Sequence, residues 1–420
     1  MKPDMSSRSA TPTGTPGASP VLASYQDKRT ALDADAVLAD ARRIAELSDF
    51  GDDRFMDALH VMLECYADDI QVDQRGLALV RATVVRQLVN RARFERDVAQ
   101  HPEIRDEDVS DPIVILGMPR SGTTKTHRML GVDPNLLKTY MWQMLNPAPF
   151  PGWEPGAPDA RIAAARTDEP LISASEENPA LRAGHVYGAE EVQSDLWLAG
   201  LTFNDTFYSS YRPLSPSFHH YLLQRERPSN RDNFEYVADL YRYLQWQQGG
   251  RQDRRWLMKN ESLLGFVDDF VAVHPRATFV HLHRDPRVSI ASFVKLSTEF
   301  ARPMFEDVTP SDVVFGIMER MSVLMHRYLR LRDGLGLGDR ILDLPYEQVR
   351  NDPMPVFREL YRRAGHELTP ESEALMLAYE RENEQGKHGA HVHSLEMFGL
   401  SERIIEQHFG QYIRRFIDGG

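Results

Sequence analysis

Two short segments hold the residues best able to do chemistry. The first runs Gly117-Met118-Pro119-Arg120-Ser121-Gly122-Thr123-Thr124, directly after the apolar run Pro112-Ile113-Val114-Ile115-Leu116. Gly117 and Gly122 have the glycine spacing of a phosphate-binding loop, in which backbone N–H groups converge on an anion and a helix N-terminus adds partial positive charge. Arg120 and the hydroxyls of Ser121, Thr123 and Thr124 add donors. The place of the lysine in nucleotide-hydrolysing loops is taken by Thr123. The loop therefore suits an anion and suits ATP hydrolysis poorly. The second segment spans Phe279 to Leu296. Arg284 follows an apolar run that ends at His283, Pro286 suits an early helical position, and Ser292 stands eight residues beyond Arg284. Parallel sheets bind ligands at the carboxyl ends of their strands. An arginine there grips a phosphate bidentately, and a serine facing the same way adds a hydroxyl.

These segments need strands and helices to hold them. Residues 112–116, 256–258, 277–283 and 341–344 are short continuous apolar runs, as in buried parallel strands. Helical patterns follow at 263–273 and 287–298, so strand–helix alternation predicts βαβ units and a parallel sheet flanked by helices. Val313, Ile317, Met321, Leu324, Tyr328 and Leu331 form a stripe at spacings of three and four. A coiled-coil seam of fewer than three heptads is weak, and an internal core helix is the better reading. Upstream, Phe55, Leu59, Met62 and Tyr66, then Leu77, Val80, Val84 and Leu88, mark amphipathic helices packed on the main domain. The expected organisation is a disordered tail over 1–26, a helical region over 27–110 and a catalytic domain over 111–420. Within the last, the Pro- and Ala-rich stretch 146–185 reads as a long loop or lid with at most one short helix. Residues 201–221 are rich in aromatics, which either line an apolar acceptor pocket or pack helices together.

Composition narrows the classes. The 420 residues carry a net charge of −13, which argues against a general nucleic-acid binder but leaves room for a local basic pocket. A single cysteine, Cys65, excludes an internal disulfide framework and fits a reducing, cytoplasmic compartment. No stretch approaches the roughly 18 apolar residues of a membrane span, and the N-terminus lacks an apolar signal region.

Pro119 to Thr124 is similar to the 5′-phosphosulfate loop of sulfotransferases, which bind 3′-phosphoadenylyl sulfate (PAPS). Arg284 and Ser292 match that family's 3′-phosphate motif in type and spacing. The chain most resembles bacterial sulfotransferases with PRSGTT or PRTGTT loops, and the likeness extends more weakly to the segment Ile341–Pro353 and the C-terminal residues. The resemblance implies an α/β, P-loop-like sulfotransferase fold and transfer of a sulfuryl group from PAPS, leaving adenosine 3′,5′-bisphosphate (PAP), without a metal. It implies cofactor contacts from Arg120, Ser121, Gly122, Thr123, Thr124, Arg284 and Ser292, and from Lys387 in a basic C-terminal loop. Arg120 and Lys259 take the places of the family's cations at the leaving group. Three places can supply a general base: Glu190 or Glu191, slightly preferred; Glu261, two after Lys259; and His185. Lys125 is unusual at its position and has no assigned role.

The expected acceptor is a small, lipophilic or aromatic hydroxyl or amine, with a homodimer allowed for. Two other classes stay open at this point. One is a phosphotransferase or nucleotide hydrolase with an altered loop, which would need magnesium. The other is a non-catalytic adenine-nucleotide-binding module. The His-x-His pair His281 and His283, and the group His388, His391 and His393, share faces but lack a carboxylate at fixed spacing, so no metal is expected.

Overall fold

The computed structural model describes residues 27–154, 156–173, 188–204, 215–225, 230–302, 305, 308–383 and 394–419. The candidates His185 and Lys387 lie outside these, as do Phe207, Tyr208, Tyr211, His388, His391, His393 and the whole of 1–26. Five parallel strands form one sheet: β1 (Ile113–Gly117), β2 (Leu136–Leu137), β3 (Arg255–Lys259), β4 (Thr278–His283) and β5 (Ile341–Pro345). Their order is β2-β3-β1-β4-β5. The four expected strands lie within a residue or two of the apolar runs. The two-residue edge strand β2 is too short to leave a periodic signal.

The principal helices are α1 (Ala34–Ala45), α2 (Met56–Asp69), α3 (Gln74–Gln100), α4 (Thr123–Gly131), α5 (Ala160–Ser173), α6 (Pro216–Arg225), α7 (Arg231–Gln247), α8 (Val267–Val273), α9 (Pro286–Ala301), α10 (Pro310–Gly334), α11 (Pro353–Ala364), α12 (Pro370–Glu382) and α13 (Glu402–Phe416). Both faces of the sheet are covered, which is why its strands read as continuous apolar runs. Alternate residues of β1 serve opposite cores. Val114 and Leu116 join a cluster with Leu240 of α7, Phe293 of α9, Met321 of α10 and Ile413 of α13. Ile113 and Ile115 join one with Leu130 of α4, Phe357 of α11 and Met376 of α12. The apolar stripe of α10 is buried in the first cluster, as a core helix requires.

The N-terminal helices build a third core from residues such as Leu38, Leu59, Leu63, Leu77 and Leu88. The described aromatics of 201–221 end there too: Phe203 stands 5.8 Å from Phe55, and Phe218 stands 5.8 Å from Tyr66. They pack helices and do not line an open pocket. In the stretch 146–185 the helix allowed for is present, and it runs to 14 residues. The Ala-rich part folds as α5, and Arg161 at its start is almost fully buried. Arg161 donates to Pro147 O (2.8 Å) and Gln247 Oε1 (2.9 Å) and lies over Trp142 at 4.6 Å. Residues 263–273 begin as a 3₁₀ turn (Glu261–Phe266) before becoming α8.

Candidate active site

β1 lies between β3 and β4, at the point where the chain's excursions to either side of the sheet meet. Crevices that bind ligands open outside the carboxyl ends of strands at such a point. The carboxyl ends of β1, β3 and β4 carry Gly117, Lys259 and His283, each followed at once by residues singled out above.

The loop after β1 has a backbone that other residues would not adopt cheaply. Arg120 (φ 69°) and Gly122 (φ 89°) are left-handed. A Cβ on Gly122 would stand 2.7 Å from Tyr346 Cδ2, and one on Gly117 would stand 2.5 Å from Ser121 Oγ and 2.9 Å from Leu282 O. Both glycines are therefore needed for space as well as for torsion. Gly122 caps α4 without a side-chain bond, so the first-turn N–H groups point where the loop wraps. Ser121 Oγ is buried and has no hydrogen-bond partner among the described residues, a cost that a bound anion would remove.

The second segment is bonded directly to the first. Arg120 Nε donates to Ser292 Oγ at 3.0 Å, and Arg284 Nη1 donates to the Arg120 carbonyl at 2.5 Å. The Arg284 guanidinium lies 4.4 Å from the centre of the Tyr346 ring. Tyr346 follows β5 directly and so touches both the loop glycine and the arginine. Sequence reasoning missed it. The only signal was its place straight after a strand end.

On the other side of β1, Lys259 ends β3 with its side chain 5% exposed, ion-paired with Glu261 at 7%. Ser194 Oγ donates to the Lys259 carbonyl at 2.7 Å and lies 3.2 Å from Glu261 Oε2. Ser194 was not foreseen, because it comes from a loop 65 residues away. His127 of α4 is buried, hydrogen-bonded to the Leu257 backbone and with Nε2 unpartnered among the described residues. Burial first, then the nearby Lys259 charge, holds this imidazole well below its ordinary range, so it is neutral.

Glu190 and Glu191 lie elsewhere. Their segment runs beside Thr139–Trp142, just beyond edge strand β2. Glu190 is half exposed and paired with Arg166, and Glu191 pairs with Arg128 of α4 at 3.2 Å. Lys125, left open by the sequence, pairs with Glu380 of α12 at 3.1 Å and helps seat that helix on α4.

The His-x-His pair of β4 does meet a carboxylate: Asp343 of β5, whose oxygen lies within 4.8 Å of a nitrogen of each imidazole. No fixed sequence spacing could reveal it, because β5 pairs with β4 from sixty residues away. Arg332 already grips Asp343 through both nitrogens, at 2.7 and 2.8 Å. A resident cation there would have to displace a guanidinium, so these residues fit a metal poorly.

The main crevice suits an anionic ligand. It holds two arginines, a buried lysine, a helix N-terminus and three hydroxyls of the loop, that of Ser121 without a partner among the described residues. Two curated relatives, the omega-hydroxy-beta-dihydromenaquinone-9 sulfotransferases Stf3 of Mycobacterium bovis and Mycobacterium tuberculosis, are each 27% identical over 265 residues. The match covers 60% of this chain and 62% of theirs. Sulfotransferase STF9 of Mycobacterium avium superposes with a TM-score of 0.80 at 24% identity, over 91% of this chain and 96% of that one. STF1 of Mycobacterium tuberculosis gives 0.75 at 23%, over 90% and 98%. At these identities the two structures establish the fold. A family model described as "Sulfotransferase family" matches residues 112–370, well over half of the sequence, and the chain belongs to the sulfotransferase family.

Proposed function

We propose that the protein transfers a sulfuryl group from PAPS to a small, lipophilic hydroxyl compound. The observation that carries this reading is the bonded union of the loop after β1 with Arg284 and Ser292 after β4. A single-anion site needs only the first. When bound, PAPS supplies the sulfuryl group and a 5′-phosphate leaving group. Ser121, Gly122, Thr123 and Thr124 hold the 5′ end through backbone and hydroxyl donors, and Arg284 and Ser292 hold the 3′-phosphate.

Negative charge gathers on the bridging oxygen as its bond to sulfur breaks, and Lys259 and Arg120 are the cations that stabilise it. The acceptor oxygen loses its proton as it bonds to sulfur. Glu261 takes that proton in this reading, because it borders the crevice while Glu190 and Glu191 are tied to arginines beyond the sheet edge. Lys259 and Glu261 hold each other, so an anion that draws Lys259 frees a Glu261 oxygen for the acceptor. The curated relatives are named for a hydroxylated acceptor. That favours a hydroxyl over an amine here and now carries the lipophilic class, since the described aromatics of 201–221 pack helices instead.

The test is calorimetry with PAP, adenosine 5′-monophosphate (AMP) and ATP, each with and without magnesium. Metal-independent binding that prefers PAP is expected, followed by turnover with radiolabelled donor and lipophilic alcohols. A magnesium-dependent preference for ATP would overturn the reading and favour a phosphotransferase.

A further inference from the structure

The carboxyl end of β4 is held by a chain of hydrogen bonds from three other elements. The Tyr412 hydroxyl, on α13, lies on the Arg284 side of the end of β4. It also lies 3.1 Å from His283 Nδ1, and His283 Nε2 lies 2.8 Å from Asp343 Oδ1. Asp343 in turn is gripped by Arg332 of α10. One arrangement satisfies both ring nitrogens: the Tyr412 hydroxyl donates to Nδ1, and Nε2–H donates to Asp343. Phe416, one helical turn beyond Tyr412, stacks on the His283 ring at 4.1 Å and 7°. Arg415 ties α13 to Asp333 of α10 at 2.6 Å. Tyr412 is 1% exposed, and nothing in the phosphate-loop chemistry calls for a tyrosine there.

We infer that Tyr412 is a positioning residue for the 3′-phosphate: through its bond to His283, the last residue of β4, the C-terminal helix α13 fixes the strand end from which Arg284 leaves. The inference rests on the reading of Arg284 as the 3′-phosphate contact. Among the described residues the Arg284 side chain bonds the Arg120 carbonyl and meets the Tyr346 ring. Where that side chain starts is set by the end of β4, which His283 anchors to α13. A bidentate grip depends on that starting point.

The experiment compares PAP with AMP, which lacks the 3′-phosphate, on wild type, Tyr412→Phe, Tyr328→Phe and Asp343→Asn. Tyr328 is the control. It is equally buried, and its hydroxyl bonds His281 Nδ1 at 2.7 Å and accepts from Arg332 Nη1 at 3.1 Å, at the far end of the chain from His283. Tyr412→Phe is expected to weaken PAP about 3–10-fold, the span of one hydrogen bond, and AMP less than about twofold. KM for PAPS should rise by the same factor while kcat changes less. Asp343→Asn should move the PAP/AMP ratio in the same direction by less, and Tyr328→Phe should leave it unchanged. Equal losses for both nucleotides, or an unchanged ratio in Tyr412→Phe, would overturn the inference. A wild type that shows no preference for PAP would instead overturn the donor reading on which it rests.

Discussion

The buried pair Lys259–Glu261 separates folding from chemistry better than any other feature of the crevice. Substituting Lys259 by Met removes a cation whose side chain is 5% exposed and leaves Glu261, 7% exposed, with a charge facing the protein interior. Breaking such a pair from one side costs about 3–5 kcal/mol, because the remaining ion keeps its desolvation penalty without its partner. Ser194 Oγ, 3.2 Å from the far carboxylate oxygen, still offers a bond and places the expected loss at the lower end, near about 3 kcal/mol. Unfolding entropy scales with length, so at 420 residues each kcal/mol shifts the melting temperature by only about 1 °C. Urea titration is therefore the assay for stability, and single-turnover transfer of labelled sulfate is the assay for chemistry. Lys259→Met should also slow transfer by about 10²–10³, the usual effect of losing one donor at a developing anion. The double variant Lys259→Met/Glu261→Leu removes both charges. It should recover most of the stability and none of the rate. Recovery of the rate with the stability would show that the pair only supports the fold and would refute the assignment of Lys259 to the leaving group.

Four further outcomes follow from the same geometry. Arg284→Ala should weaken PAP by about 1.5–3 kcal/mol in calorimetry, the range for a hydrogen bond to a charged group, with unchanged affinity refuting the 3′-phosphate placement. Gly122→Ala forces an L residue to φ 89° and a Cβ to within 2.7 Å of the Tyr346 ring, so it should cost about 2–4 kcal/mol of stability and most of the PAP affinity. Glu261→Gln should lower single-turnover transfer, while Glu190→Gln and Glu191→Gln leave it unchanged; the opposite pattern would return the base to the sheet edge. Acid should destabilise the protein through His274, which burial holds at about 4 while its Nδ1 bonds the Val109 carbonyl. The unfolded chain takes up a proton at about 6.5, so stability is full above that pH and falls by up to about 3 kcal/mol as pH drops to 4. His274→Gln, read by urea titration at pH 7.5 and 5, should flatten that slope.

The sequence exposed those parts of the site that are local in the chain. The glycine pair, Arg120 and the loop hydroxyls follow one strand, and Arg284 and Ser292 lie within a single strand–helix unit. Their types and spacing are readable because the anion needs them at fixed offsets along one backbone. What the sequence hid is what the sheet brings from afar. Tyr346 reaches Gly122 because β5 is two strands from β1. Asp343 meets the His-x-His pair only through the β4–β5 register, in which His281 stands opposite Asp343. Ser194 reaches Lys259 from the loop beyond β2. The fold was legible for a related reason. Strands buried on both faces leave continuous apolar runs, whereas β2, two residues long, leaves none. In 146–185, prolines masked the run of helix-forming residues that becomes α5, and no pattern could announce that Arg161 would be buried as its anchor.

The missing lysine of the phosphate loop takes on a definite meaning in this setting. In a nucleotide-hydrolysing loop that lysine crosses the anion as a mobile point charge. Here the residue in the helix is Thr123, buried, and the loop's cation is Arg120, two residues before the helix-capping Gly122 and in a left-handed conformation. That conformation turns the Arg120 carbonyl to Arg284 and its guanidinium to Ser292. A lysine within α4 could not make both bonds, because its backbone carbonyl would be committed to the helix. In the proposed reading, the exchange of a helical lysine for a loop arginine thus binds the 5′ side of the crevice to its 3′ side. Such coupling favours a donor that carries phosphates at both ends, since each half of the site is held in place by the other and little ordering remains to be done on binding. A triphosphate chain would engage only the first half and leave Arg284 and Ser292 without their ligand. The same bonds that make the site poor for ATP therefore make it suited to a 3′,5′-bisphosphate.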